Sequence, residues 1–261
     1  MPLSKISIKR FRCFEEINLD LSPGVNFFYG TNGSGKTSIL ESIFIFSSGK
    51  SFKSSNLSSL INFNFDNFSL KAFDTARGYI VEINKDRNKP ISVQLNNSKI
   101  TTSKLIREFP CSPIHNNTFS FADASPDFRR KLLDRSIFIA DDSFSSNWFS
   151  FYRSLKQRNS LLKKGATAEI NAWNESFIKE GNSLSILRRN FFELTLLEFK
   201  NFMNLIEPKN VFNFFNDINI SFFSGWDSDE SLKDTLDKNS DVDQYRKTTT
   251  KGPHKADIKF L

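Results

Sequence analysis

Gly30-Thr31-Asn32-Gly33-Ser34-Gly35-Lys36-Thr37 satisfies the pattern G-x-x-x-x-G-K-[ST] at every constrained position. Just before it, Val25-Asn26-Phe27-Phe28-Tyr29 is a short apolar run that reads as a buried strand. Just after it, Ser38-Ile39-Leu40-Glu41-Ser42-Ile43-Phe44 reads as the first turns of a helix. Strand, glycine loop and helix are the setting this motif requires. Glycines at 30, 33 and 35 permit positive φ and close backbone approach, so successive N–H groups form a concave nest at the positive end of the helix. Lys36 adds a point charge for the β- and γ-phosphates of a nucleotide. Thr37 adds a hydroxyl for the bridging Mg²⁺, a small hard cation that prefers oxygen ligands.

The chain has 261 residues, enough for one large domain or two modest ones with a real core. Lys and Arg outnumber Asp and Glu by 36 to 29, a balance compatible with a polyanionic partner without requiring one. The 30 phenylalanines, with abundant Asn, Ser, Lys and Ile, read as genome bias and mark no site. Cys13 and Cys111 stand far apart with no histidine-rich neighbourhood, so neither a disulfide framework nor a zinc site is expected. No apolar run reaches the ~18 residues of a membrane span, and no signal-type segment follows Met1. A cytoplasmic location is expected.

Before the glycine loop, Ile6, Ile8 and Phe11 and then Ile17, Leu19 and Leu21 alternate as two strands. After the first helix, the basic loop Ser47–Lys53 is either a solvated connector or a nucleotide or DNA contact. Residues 68–100 alternate as an antiparallel meander with a hairpin turn at Asn96-Asn97. A short helix over 102–109 and a strand over 110–114 follow, the latter ending near His115, a candidate polar or catalytic group. Ser125-Pro126-Asp127 is a helix start, with Ser as N-cap and Pro in the first turn. That helix carries Arg129, Arg130, Lys131 and Arg135, the densest basic cluster and the candidate DNA contacts. Residues 142–206 have helical periodicity broken at Lys163-Lys164-Gly165. The apolar seam Ile170, Trp173, Phe177, Leu184, Leu187, Phe191, Leu194 predicts an antiparallel helical hairpin. Strands over 219–223 and at the C-terminal end, and helices within 227–238 and 241–247, complete the reading.

Phe11-Arg12, the glycine loop, Leu155-Lys156-Gln157-Arg158-Asn159, the segment Ser125 to Asp134 and Gly252-Pro253-His254-Lys255-Ala256-Asp257 occur in the order and spacing of the RecF family. The chain resembles these SMC-like, ABC-type ATPases of bacterial recombinational repair. The resemblance implies an α/β P-loop NTPase head of ABC/SMC type with a mixed sheet. On this reading, 1–140 is the head with the glycine loop, 141–207 an inserted helical lobe, and 208–261 a return to the head, incomplete at its C-terminus. It implies ATP and Mg²⁺ as cofactors and an ATP-dependent homodimer whose partner caps the nucleotide. It further implies binding to single- and double-stranded DNA at junctions and gaps, and work with RecR and RecO in loading RecA during repair and the SOS response.

Two departures accompany the resemblance. Ser112 stands at the family's glutamine-loop position and Asn116-Asn117 replaces its Pro-Glu, so no glutamine-loop role is carried over. No Leu-Ser-x-Gly-Gln follows Lys36, and Ile137-Phe138-Ile139-Ala140-Asp141-Asp142 is the nearest approach to a Walker B strand. The family is weakly ATP-hydrolysing; here no catalytic carboxylate is assigned. The alternatives are a P-loop kinase or GTPase with Asp141 in its Mg²⁺ site, or a hydrolysis-incompetent RecF-type fragment.

Overall fold

The computed structural model describes residues 3–114, 121, 123–206 and 219–260. The chain divides into two compact units, Met1–Ile114 and His115–Leu261. His115, Asn116 and Asn117 lie outside the described residues.

The first unit is built on a six-stranded antiparallel sheet. Its strands are β1 (Lys5–Phe11), β2 (Phe14–Asp20), β3 (Asn67–Asp74), β4 (Tyr79–Asp86), β5 (Ser92–Leu95) and β6 (Ser98–Lys99), in the order β2-β1-β3-β4-β5-β6. Register follows the alternation of side chains: Ile6 faces Ala72, Ile8 faces Leu70, and Leu70 faces Ile83. One face therefore collects Ile6, Ile8, Phe68, Leu70, Ala72, Val81 and Ile83, all fully buried, and Phe11 meets Phe68 edge-to-face at 5.2 Å. Helix α1 (Lys36–Ser48) packs Ile39, Ile45 and Phe46 into the same core, joined by Leu105 of α2 (Thr102–Glu108) and by Phe109. The opposite face is polar, with ion pairs such as Lys9–Glu16 at 3.0 Å. The meander and the Asn96-Asn97 turn, with φ of +48° and +65°, are as expected.

Two strand expectations fail. Val25–Tyr29 belongs to no sheet among the described residues; Val25, Phe27 and Tyr29 are 75, 84 and 95% exposed. A strand needs a neighbour to take its N–H and C=O groups, and among the described residues none runs alongside. Cys111–Ile114 is likewise not a strand.

The second unit holds α3 (Pro126–Ala140), the hairpin of α4 (Phe144–Lys164) and α5 (Thr167–Ile206), and the two-stranded sheet of β7 (Ile220–Phe223) with β8 (Asp257–Phe260). It also holds the short helices α6 (Leu232–Lys238) and α7 (Ser240–Arg246). Ser125 caps α3 as expected, its side chain accepting from Phe128 N. Gly165 at φ +70° ends α4 and turns the chain back. The seam Ile170, Phe177, Leu184 is buried, but further along Phe192 is the buried residue and Leu194 is 63% exposed. Helix α4 runs out opposite about Leu187, so the rest of α5 meets α3 and β7 and turns a different side inward. Among the described residues, no helix is long and apolar enough to cross a membrane.

Buried charge ties this unit together. Arg188, fully buried, donates to both oxygens of Asp134 at 2.7 Å and to Pro253 O at 2.7 Å. Removing one partner leaves the other charge unpaired in the interior, which typically costs about 3–5 kcal/mol. Asp134→Ala is therefore expected to lower unfolding free energy by about that amount in urea titrations; a change under about 1 kcal/mol contradicts the assignment.

His254 sits between the rings of Phe151 and Phe177, with Nε2 2.9 Å from Thr249 O and Nδ1 buried without a partner. Burial pushes its pKa down from 6.5 to about 4, against the opposing pull of the Thr249 carbonyl. In this window the unfolded chain binds the proton that the folded chain refuses. The contribution of neutral His254 is thus complete above pH 6.5 and fades as pH falls toward 4. It is on the order of 3 kcal/mol. Asp74, whose pKa is held down by Arg77 despite burial, acts only below its ordinary value of 3.8. Urea midpoints of the native chain should fall between pH 6.5 and 4, and those of His254→Asn should fall much less; parallel curves would refute this role.

Candidate nucleotide site

The glycine loop leads directly into α1, which starts at Lys36 with Gly35 as its N-cap. Gly30, Gly33 and Gly35 have φ of +150°, +84° and +90°, the positive values expected of a loop whose N–H groups converge. At Gly35 the requirement is also steric: a Cβ there would lie 2.3 Å from Phe14 Cζ and 3.0 Å from Cys13 Sγ. The β1–β2 hairpin therefore presses against the first turn of α1, where only glycine fits. Lys36 Nζ reaches back to Gly30 O at 2.9 Å and Thr31 O at 2.7 Å, so the ammonium lies across the mouth of the loop.

A cleft of about 630 Å³ opens over this turn, lined by Asn32, Gly33, Ser34, Gly35, Lys36 and Thr37 together with Arg12, Cys13, Lys53 and Phe63. The structure thus brings the predicted loop residues together, with Gly30 and Thr31 contributing through their carbonyls to the hold on Lys36. Thr37 lies in the first turn of α1, on the cleft wall, where a hydroxyl can serve a cation beside the phosphates. The wall contributed by Arg12 and Cys13 was not legible in the sequence. The pair Phe11-Arg12 stood out only as a family element, and nothing in it says that a two-residue hairpin turn folds against the phosphate loop. Lys53, in the basic loop after α1, lines the cleft and so favours the nucleotide reading of that loop.

The basic helix α3 lies in the second unit, and its cations differ in what they hold. Arg129 is buried and pairs with both oxygens of Asp257 at 2.8 and 2.9 Å. Its pKa is raised chiefly by that hydrogen-bonded carboxylate. Arg130 donates to Ala256 O at 2.6 Å, while Lys131 pairs with Asp127 at 2.6 Å with its side chain 75% exposed. Arg135 is half-buried. The Walker B-like reading of Ile137–Asp142 is overturned: Ile137–Ala140 is the last turn of α3 and Asp141 its C-cap. A helix end cannot deliver a carboxylate from a sheet strand. Among the described residues, no cluster of His, Cys, Asp and Glu side chains could hold a metal ion by itself.

A family model described as the RecF/RecN/SMC N terminal domain matches residues 2–125. The chain is 34% identical over its whole length to the DNA replication and repair protein RecF of Pseudoalteromonas translucida, covering 72% of that protein. It is 32% identical to RecF of Shewanella baltica, again over all of this chain and 72% of the relative. Among solved structures, the recombination mediator protein RecF-ATPrS in the RecFOR pathway superposes with a TM-score of 0.80 at 25% identity, covering 100% of this chain and 73% of that one. The RecF-ATP structure gives 0.77 at the same identity, over 99% and 72%. An Smc head domain from Pyrococcus furiosus, 18% identical with a TM-score of 0.52 over 99% of this chain and 70% of that one, shares the fold. The α/β P-loop architecture of an ABC/SMC-type head, expected from the glycine loop and the ordered motifs around it, is thereby established, and the chain belongs to the RecF family of DNA replication and repair proteins.

Proposed function

We propose that this chain binds ATP in the cleft over Gly30–Thr37 and uses it in recombinational DNA repair. The observation that carries this reading is the loop itself: three positive-φ glycines, Lys36 across the mouth and Thr37 at the head of α1, in a chain whose relative was solved with ATP. The N-terminal end of α1 and Lys36 supply the fields a polyphosphate needs. Thr37 supplies one oxygen to Mg²⁺, and the nucleotide's own phosphates supply others. No residue is assigned to splitting the nucleotide.

The same reading places the chain in the cytoplasm as an ATP-dependent homodimer, its cleft capped by the second copy. Residues 1–140 and 208–261 would serve as the head and 141–207 as the helical lobe. DNA at duplex and single-strand junctions is the polyanionic partner, with RecR and RecO as protein partners and RecA loading as the outcome. On α3 the candidates for phosphate contacts are Arg129, Arg130, Lys131 and Arg135; Arg129 and Arg130 also hold Asp257 and Ala256, and the Lys131 side chain is 75% exposed.

Lys36→Ala is expected to weaken ATP binding by at least about tenfold, since a charge-assisted contact is worth about 1.5–3 kcal/mol. Gly35→Ala should do the same by forcing Phe14 and Cys13 off the helix start. Equilibrium titration of the native chain and both variants with ATP checks this, and equal affinities in all three would end the ATP reading. DNA affinity should fall steeply with salt, and Lys131→Ala/Arg135→Ala should shallow the log–log slope by about two. Affinity that does not change between ~50 and ~200 mM salt would remove the electrostatic reading.

A further inference from the structure

Glu41 is the least expected group beside the cleft. It lies five residues past Lys36 on α1, is 1% exposed, and is ringed by donors. Arg12 Nε donates to its Oε2 at 2.9 Å and Arg12 Nη2 to its Oε1 at 2.9 Å. Ser51 Oγ also donates to Oε1, and that same hydroxyl accepts from Lys53 N and Ser54 N, both at 2.9 Å. One buried carboxylate therefore holds two separate walls of the cleft: the β1–β2 turn through Arg12, and the loop after α1, with Lys53, through Ser51.

Arg12 itself is in an uncommon conformation. Its φ of +54°, in a two-residue hairpin turn where glycine is the usual occupant, is strained for an L-residue. A backbone held this way needs a compensating hold, and the two-bond pairing with Glu41 is one. The pairing uses two of the three guanidinium nitrogens. Nη1 has no partner among the described residues, and Arg12 lines the cleft with Lys36 and Thr37.

We propose that Glu41 is a positioning residue for nucleotide recognition. It holds the guanidinium of Arg12 by one edge so that Nη1 faces the polyphosphate, and through Ser51 it sets the loop that carries Lys53 on the same cleft. This deepens, and rests on, the reading of the cleft as an ATP site. The ligand chemistry is a chain of phosphates and not the base or sugar, because the positioned groups are cations beside the phosphate loop. Their contribution should therefore grow with the number of phosphates on the ligand.

The test titrates the full chain with ATP, ADP and AMP, using the native protein, Arg12→Ala, Arg12→Lys, Glu41→Gln, Ser51→Ala and the double variant Arg12→Ala/Glu41→Gln. Lys36→Ala serves as control, and melting without nucleotide is recorded for each. Arg12→Ala should lower ATP affinity about tenfold while changing AMP affinity less than about twofold, the loss of one charge-assisted contact to the outer phosphates. Arg12→Lys, which keeps the charge but not the fork, should fall between native and Arg12→Ala. Glu41→Gln and Ser51→Ala should each reduce the ratio of ATP to AMP affinity about three- to tenfold, and Glu41→Gln should cost less in the Arg12→Ala background than in the native chain, the remainder being its hold on Ser51. A merely structural role would lower the melting temperature and leave that ratio untouched. The ratio holding at its native value in Arg12→Ala, Glu41→Gln and Ser51→Ala, while Lys36→Ala still loses ATP, overturns the positioning role and spares the ATP site. ATP affinity unaffected by Lys36→Ala overturns both.

Discussion

Charge taken out of water is the constraint on which both units depend. Desolvating an ion costs several kcal/mol, and the cost is recovered only when geometry gives it a counter-charge and uses its remaining donors. Arg188, Arg158 and Glu41 are each no more than 2% exposed, and each is met on more than one side. Arg188 joins α5 to α3 through Asp134 and to the Pro253 carbonyl. Arg158 joins α4 to α5 through Asn174, to Thr249 at 2.6 Å, and to α7 through Asp243 at 2.7 Å. Arg129 joins α3 to β8. Every one of these links spans segments that the hydrophobic pattern alone would leave free to slide. Apolar packing is non-directional, whereas a guanidinium fork meeting a carboxylate is not, so the ion pairs set the registers at which the helices lie.

The sequence was most legible where a local pattern suffices. The meander over 68–100, the Asn96-Asn97 turn, the N-cap at Ser125 and the hairpin broken at Gly165 depend on residues within a few positions of one another, and all are present. Legibility failed where a partner elsewhere decides the outcome. Val25–Tyr29 has the apolar run of a buried strand, yet a strand is a paired object, and no described neighbour takes its backbone. Ile137–Asp142 has the composition of a Walker B strand, but it continues the helix that Ser125 starts, and the cap outweighs the run of β-branched residues. In the site, the glycine loop was readable because its chemistry is contiguous. Arg12 was not assigned to the cleft, and Lys53 only as one of two readings of its loop, because both are tied to Glu41, a residue whose helical position looks like any other polar group on an amphipathic face.

The motifs also differ in what they do, and the difference runs against their specificity. The phosphate loop is shared by many families and carries the chemistry. The terminal Gly-Pro-His is far more particular, and in this structure its work is packing. Gly252 lies so close to Gly225 that a Cβ on the latter would sit 2.0 Å from the Gly252 carbonyl oxygen. The Pro253 carbonyl takes a bond from the buried Arg188, and His254 stays neutral between Phe151 and Phe177 with its hydrogen bond spent on Thr249. None of these three residues needs a ligand to explain its type: the glycine is required by a φ of +131° and by the Phe177 ring, 2.7 Å from where its Cβ would lie, the proline suits the first turn of a short 3-10 helix, and the imidazole suits a space that is mostly aromatic with one polar wall. A sequence signature can therefore identify a family through the joints of its scaffold while the reaction is left to a motif that identifies only the class of ligand.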